Sequence, residues 1–105
     1  MLARLVMTQG KPEKVDEVAR YFKEQTLVNA KKIKGFHQAF MMVNRQTGRI
    51  VAMVHWENQQ AIQDSTPLAT KAIAQMAQIA GATEEPMVEI FEVAVAEVPM
   101  AMGMK

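Results

Sequence analysis

Four segments of the chain have the apolar content and the β-branched residues that are typical of strands. Two of them are separated by Arg45-Gln46-Thr47-Gly48, a short loop that contains a glycine, and this arrangement predicts a β-hairpin. The predicted strands are residues 2–8, 36–44, 49–56 and 87–96.

Two other segments repeat their apolar residues at helical spacing. The first begins at Pro12, which suits the first position of a helix, and we expect it to end near residue 33. The second is predicted in two pieces. Asn58 can cap a short piece, Ser65-Thr66-Pro67 then interrupts the helix, and a longer piece follows that Gly81 ends.

The order of these elements is β-α-β-β-α-β, which predicts a ferredoxin-like α+β fold, a four-stranded antiparallel sheet with both helices on one face. The other face of such a sheet is normally polar, yet the hairpin strands are apolar on both sides. In the strand 49–56, Val51 and Met53 alternate with Ile50, Ala52 and Val54. Because two helices cannot cover both faces, we predict a homodimer whose sheets pack together around a twofold axis, a dimeric α+β barrel.

Composition excludes several classes of function. The chain has 105 residues, 50% of them hydrophobic, which predicts one domain over residues 1–97 and a Met-rich tail over 98–105. A net charge of +1 does not favour a nucleic-acid partner or a polybasic membrane anchor. The absence of cysteine excludes disulfides, Cys-ligated metals and a thiol nucleophile. With no membrane span and no signal-type N-terminus, we expect a cytoplasmic protein.

Short motifs at four places share their order and spacing with a known family. They are Gly10-Lys11-Pro12 before the first helix, Lys34-Gly35-Phe36 at the start of the second strand, His55-Trp56-Glu57 at the end of the third, and Ala61-Ile62 with Thr66-Pro67 in the second helix. Over about residues 2–96 the chain resembles the antibiotic biosynthesis monooxygenase family of the dimeric α+β barrel superfamily. The resemblance implies a homodimer with a small-molecule pocket between sheet and helices in each protomer. It also implies oxidation of aromatic polyketides or quinols with dioxygen and no cofactor, as in some members.

One branch of the family is not matched. Its haem-degrading members carry a functional Asn on the first strand, and a Trp and a His on the second helix. The corresponding positions here hold Ala3, Ser65 and Gln75, so the resemblance does not extend to haem degradation. Oxygenase activity on other substrates is implied by the family resemblance alone.

The two histidines are the only side chains whose ordinary pKa lies near neutrality. His55 is the first candidate, and His37 the second, for a general base that removes a proton from a phenol or quinol and leaves an anion able to pass an electron to dioxygen. The alternative for each is a structural histidine hydrogen-bonded to the backbone. A three-residue hairpin loop would place both on one face of the sheet, whereas a two- or four-residue loop would separate them.

Three further side chains are candidates for ligand binding. Gln38 could orient a substrate oxygen, and Trp56, the only tryptophan, is a substrate-binding candidate or else an anchor in the core or interface. Arg4 lies in an apolar strand and is either an edge residue, which we favour, or a buried clamp for an anion. We predict no metal site, because two histidines without cysteine leave too few convergent ligands. The family resemblance implies that no cofactor is needed.

Two functions remain open from the sequence. The first is a cofactor-independent monooxygenase that acts on a small aromatic or quinol-type substrate in an apolar pocket. The second is a non-catalytic dimeric barrel that binds a small apolar ligand or acts as a stress-related accessory module.

Overall fold

Four antiparallel strands form one sheet in the order β2-β3-β1-β4 in the computed structural model, which describes residues 1–97. The predicted tail, residues 98–105, lies outside the described residues. β1 and β3 are the central strands, and the ferredoxin-like α+β fold is confirmed. The strands are β1 (Leu2–Gln9), β2 (Phe36–Val43), β3 (Arg49–Trp56) and β4 (Met87–Glu92).

The helices lie on one face of this sheet. The first helical segment opens with a 3₁₀ turn at Pro12–Lys14 and continues as α1 (Val15–Tyr21), a π-helical turn (Phe22–Thr26) and α2 (Leu27–Ala30). The second helix, α3, runs over Gln59–Ala80. Within residues 1–97, none of these helices has the length and apolar content to cross a membrane.

The predicted interruption of the second helix is wrong, because α3 continues through Pro67. The hydroxyls of Ser65 and Thr66 do not begin a new helix. Each donates a hydrogen bond to the carbonyl oxygen of Ile62, at 2.9 Å. Pro67 removes one backbone donor, and the packing of both halves of α3 outweighs this local signal.

Both ends of α3 match the sequence prediction. The Oδ1 atom of Asn58 accepts a hydrogen bond from the N–H of Ala61 at 3.0 Å, and Gly81 adopts a left-handed φ of +70°. The N–H of Lys11 donates to the carbonyl oxygen of Ala80 at 2.9 Å. The C-terminal end of α3 is thereby joined to the loop after β1.

The two faces of the sheet differ in what covers them. The face toward the helices carries Val6, Ile50 and Ala52, which pack with Val18 and Met76 of the helices into one buried cluster. The opposite face, here called the open face, carries the alternate residues of the same strands, and cross-strand pairing places them together. Its apolar members are Leu5 and Met7 of β1, Phe40 and Met42 of β2, Val51 and Met53 of β3, and Met87 and Phe91 of β4.

Candidate functional site

An apolar cavity lies between the sheet and the helices, which is the position that the family resemblance implies for a ligand pocket. Its walls come from β1, β3, α3 and the π-helical turn, and its volume is about 40 Å³. A cavity of this size holds roughly two or three water molecules. An aromatic ligand would therefore enter only if side chains or helices moved apart.

Two polar atoms in the wall of this cavity have no hydrogen-bond partner in the described residues. They are the Nε1 atom of Trp56 and the Oγ1 atom of Thr26, and both atoms are buried. Buried polar atoms in proteins are nearly always paired with protein or water. These two atoms therefore indicate a place where water or a polar ligand group would be held.

Trp56 is fixed by packing rather than by hydrogen bonding. It is 2% exposed, and its ring meets the ring of Phe36 edge to face at a centroid distance of 5.8 Å. Trp56 is thus both a buried core residue and a residue that lines the cavity. Its role in binding substrate stays a prediction.

The π-helical turn supplies one side of the cavity. Phe22 and Thr26, the first and last residues of the turn, are both buried and both line the cavity. Single π-helical turns within α-helices are frequent at functional sites. This local irregularity places Thr26, whose buried hydroxyl has no partner in the described residues, among the residues that line the cavity.

Arg4 is also buried against the cavity, with 7% of its surface exposed. Its guanidinium donates to the Oγ atom of Ser65 at 3.0 Å, to the Oγ1 atom of Thr66 at 3.1 Å and to the carbonyl oxygen of Ile62 at 3.3 Å. The favoured prediction of an edge residue is wrong, because β1 has β3 on one side and β4 on the other.

The positive charge of Arg4 has no counterion in residues 1–97. All three of its acceptors are neutral, and the salt bridges of the described residues join Lys14 to Glu17 and Arg45 to Asp16. Desolvation by burial lowers the pKa of Arg4 from its ordinary value. A guanidinium nevertheless stays protonated at neutral pH, so the site holds an unpaired buried cation.

A larger depression, here called the α3–β4 groove, lies beside the cavity and opens to solvent. Its volume is about 470 Å³, within the range of small-molecule sites. Arg4, Ala69 and Ile73 line both the groove and the cavity. Val88 and Ile90 of the edge strand form the apolar wall of the groove opposite α3. Arg4 is therefore placed where a solvent-open site meets the interior.

The two histidines are not part of this cavity. His55 alternates along β3 with Val54 and Trp56, which line the cavity, so His55 lies on the open face. His55 and the cavity are thus on opposite sides of the sheet, and His37 does not line the cavity. Within residues 1–97, no three His, Asp or Glu side chains come together as a metal site.

A β-bulge decides the relation between the histidines. The hairpin loop has four residues, which by loop length alone would separate His37 from His55. Phe36 pairs with Trp56 and Gln38 pairs with His55, so His37 is the extra residue of a bulge. The bulge brings His37 close enough for its charge to act on His55.

His55 has a partly desolvated environment on the open face. Its Nδ1 atom lies 3.0 Å from the Nε2 atom of Gln38, and its ring meets that of Phe40 edge to face at 6.1 Å. Desolvation, and then the charge of His37, lower the pKa of His55 from its ordinary value of 6.5. His55 is therefore neutral at pH 7 and, with the Gln38 amide as donor, carries its proton on Nε2. Gln38 thus holds a histidine in this structure, and its role toward a substrate oxygen stays a prediction.

Three of the polar residues around the cavity were not predicted from the sequence. Thr26 had no signal, because a π-helical turn leaves no periodic trace in a short helix. In the sequence, Ser65 and Thr66 next to Pro67 favour a break in the helix, whereas in the structure their hydroxyls accept hydrogen bonds from Arg4. One signal in the sequence could have predicted these contacts. Arg4 is a single cation in an apolar strand, and Ser65 and Thr66 are hydroxyl residues on a helix that must cover that strand.

The fold and the cavity define a ferredoxin-like α+β protein with an apolar internal site beside an unpaired buried cation. The sequence profile of the antibiotic biosynthesis monooxygenase family matches residues 1–70. The chain belongs to this family. No curated protein matches the chain in sequence.

Solved structures share the fold at low sequence identity. A monooxygenase of Streptomyces coelicolor from the gene ActVA-Orf6, in complex with nanaomycin D, is similar with a TM-score of 0.76 and 15% identity over 93% of this chain and 91% of that chain. A protein of unknown function from Nitrosomonas europaea has a TM-score of 0.69 and 21% identity over 93% of each chain. A dimeric ferredoxin-like protein from an uncultured marine organism has a TM-score of 0.68 and 7% identity over 93% of this chain and 91% of that one.

Proposed function

We propose that this protein is a cofactor-independent monooxygenase that acts on a small aromatic or quinol-type substrate at the inner cavity. The observation that carries the proposal is the apolar cavity in which Trp56 Nε1 and Thr26 Oγ1 have no partner. Apolar walls suit an aromatic ring, and an indole N–H with a hydroxyl can hold a phenolic oxygen. Family membership and the fold shared with the Streptomyces monooxygenase support the reaction class.

The proposed chemistry balances without an external reductant. In an anthrone, the ring CH₂ group becomes a carbonyl: one atom of dioxygen becomes the carbonyl oxygen, and the other leaves as water with the two hydrogens. The protein must assist the loss of the first proton, because the resulting anion can pass an electron to dioxygen. Stabilising that anion lowers the barrier.

The source of the base depends on which face binds the substrate. His55 can act only on a molecule held on the open face, where a second copy of the chain would cover it. In the cavity, the described wall residues include no group that titrates near neutrality. There the proton would pass to water, and Arg4 would stabilise the anion.

The homodimer is part of the same proposal. Apolar side chains on the open face, Phe40, Met42, Met87 and Phe91 among them, are 44–53% exposed in one protomer. Such a patch on a small domain indicates an interaction surface. A second copy fits best, because its own open face is the same apolar surface and a twofold axis would bury both.

A second candidate function is ligand binding without catalysis. It is favoured by one observation: the only charged side chain in the described wall of the cavity is Arg4, which cannot act as a base at neutral pH. In this case the site would hold an aromatic ligand unchanged.

Oxygen uptake with a panel of hydroquinones and anthrones separates the two functions. We expect uptake by the wild type with at least one of them, and a kcat/KM about 10-fold lower for Trp56→Phe, which keeps the ring but removes the N–H donor. His55→Ala and His37→Ala test the open face as the catalytic site. Absence of uptake across the panel, together with quenching of Trp56 fluorescence by the same compounds, would favour binding alone.

A further inference from the structure

We infer that Arg4 binds the ionised oxygen of an organic acid whose apolar part lies in the α3–β4 groove. This inference rests on the proposed function only in that Arg4 lines both the groove and the cavity at which the substrate would react. It names the class of ligand, an aromatic acid, and assigns the groove as the place where that ligand binds.

The first step is the state of the Arg4 side chain. Removing a cation from water is costly unless an anion and hydrogen bonds replace the lost hydration. A guanidinium has five N–H donors, and in the described residues Arg4 forms three hydrogen bonds, all to neutral oxygens. Charge and donors are thus available for an acceptor that the described residues do not provide.

The second step is access from solvent. Arg4 lines the α3–β4 groove as well as the cavity, and the groove is also lined by Thr66, whose hydroxyl accepts a hydrogen bond from the guanidinium. A molecule in the groove therefore lies beside the Arg4 side chain. The groove volume of about 470 Å³ accommodates a one- or two-ring aromatic compound, whereas the cavity of about 40 Å³ does not. Binding at Arg4 therefore begins in the groove.

The third step is the chemistry of the groove walls. Ile73, Val88 and Ile90 are apolar, and they flank Arg4 and Thr66. The other charged side chain in the described wall is Glu85, which is exposed and forms no salt bridge with Arg4. An apolar body with one anionic oxygen matches this pattern, because the body covers the aliphatic wall and the oxygen meets the cation.

Carboxylate and enolate oxygens share this chemistry. A bidentate carboxylate fits the planar guanidinium directly. An acidic phenol or enol would bind in its ionised form, since a nearby cation lowers the pKa of the ligand's hydroxyl group. The second case would also generate the anion that the proposed oxygenation needs.

Calorimetric titration without oxygen tests the inference on the whole chain. The probes are naphthoate, its neutral isostere naphthamide, and a hydroxynaphthoquinone whose enol is ionised at neutral pH. The wild type should bind at least one of the two acids about 10-fold or more tightly than naphthamide. Arg4→Met should abolish this preference, whereas Arg20→Met, at an exposed arginine outside the groove, should retain it.

The outcomes separate this inference from its rivals. Preference for naphthoate identifies a carboxylate, and preference for the quinone identifies an enolate. Equal affinity of the wild type for all three probes overturns the inference even if Arg4→Met does not fold. A purely structural Arg4 predicts equal affinities and a lower Tm for Arg4→Met, whereas an unpaired cation predicts a Tm at or above that of the wild type.

Failure of the proposed oxygenase function leaves a different result. Oxygen uptake would be absent, and the Arg4-dependent preference for an acid would persist. Conversely, oxygen uptake together with equal affinities for the three probes would overturn the proposed role of Arg4 and leave the proposed oxygenase function standing.

Discussion

The two faces of the sheet are built from the same strands and differ in their cover. On β3, Ile50 and Ala52 are 2% and 4% exposed beneath the helices. On the neighbouring β2, Phe40 and Met42 of the open face are 47% and 53% exposed. Both sets are apolar, so the difference lies in the two helices, which can cover one face only. Apolar residues on both sides of a strand thus predict a second covering element.

The faces also differ in their polar chemistry. The helix face holds Arg4 with the unpartnered atoms of Trp56 and Thr26, and the open face holds His55. The sheet separates the unpaired cation from His55, whose pKa is lowered by desolvation and then by the charge of His37. Substitutions on the helix face should therefore change the cavity and the surroundings of Arg4, and substitutions on the open face should change the surroundings of His55.

Truncation of the helix face should have the largest effect. We expect Trp56→Ala to lower the free energy of unfolding by about 3–5 kcal/mol, because it empties a fully packed aromatic site. Urea denaturation monitored by circular dichroism measures the change. The matched variant Phe40→Ala, on the open face, should lower the stability of an isolated protomer by less than half as much. If Trp56→Ala and Phe40→Ala lowered the free energy of unfolding equally in dilute, monomeric protein, the proposed difference between the two faces would be wrong.

A charge on the open face should affect assembly rather than folding. Met53 lies on a central strand and pairs with Leu5 and Phe40. Met53→Glu should weaken the proposed dimer by about 2–4 kcal/mol, or roughly 30- to 1,000-fold in Kd, because the partner's apolar face would bury a carboxylate.

Sedimentation velocity measures this change in Kd. The control is Val28→Glu, which places the same charge at an exposed apolar position on α2 and should leave the dimer intact. A wild type that is monomeric at micromolar concentration would remove the dimer from the proposal.

Local patterns predicted the strands well, because the period of two and the turn residues are local signals. β3 has its predicted bounds, and Asn58 and Gly81 act as the caps that their side chains favour. β4 ends at Glu92 rather than at residue 96, since an apolar composition does not say where pairing with β1 stops.

The candidate site was harder to predict because its features depend on contacts between distant segments. Arg4 is buried because β1 lies between β3 and β4 and because α3 covers its face of the sheet, and neither strand order nor helix placement is a local property. The relation of His37 to His55 depends on one bulge residue, which loop length does not reveal. Pro67 stays inside α3 because tertiary packing outweighs its local cost.

A change of pH should give the smallest effect and should report on the open face alone. The pKa of His55 is lowered in the folded chain, by desolvation and by the charge of His37, from its ordinary value of 6.5. Above that value both states hold neutral His55, and the group contributes no pH dependence. As the pH falls below it, the unfolded chain binds a proton that the folded chain resists, so stability is lost down to the folded pKa. Arg4 does not titrate in this range.

Urea midpoints at about pH 7.5 and about pH 5.5 measure this loss on either side of the ordinary histidine pKa. We expect His55→Gln to have a smaller decrease in midpoint than the wild type, because the group that resists protonation is gone. Arg4→Met should keep the full decrease, since its face carries no histidine. If the decrease in urea midpoint vanished in Arg4→Met and persisted in His55→Gln, the pH dependence would come from the helix face and not from His55. If a second copy covers the open face, burial of His55 deepens, and the decrease should be larger at protein concentrations that favour the dimer.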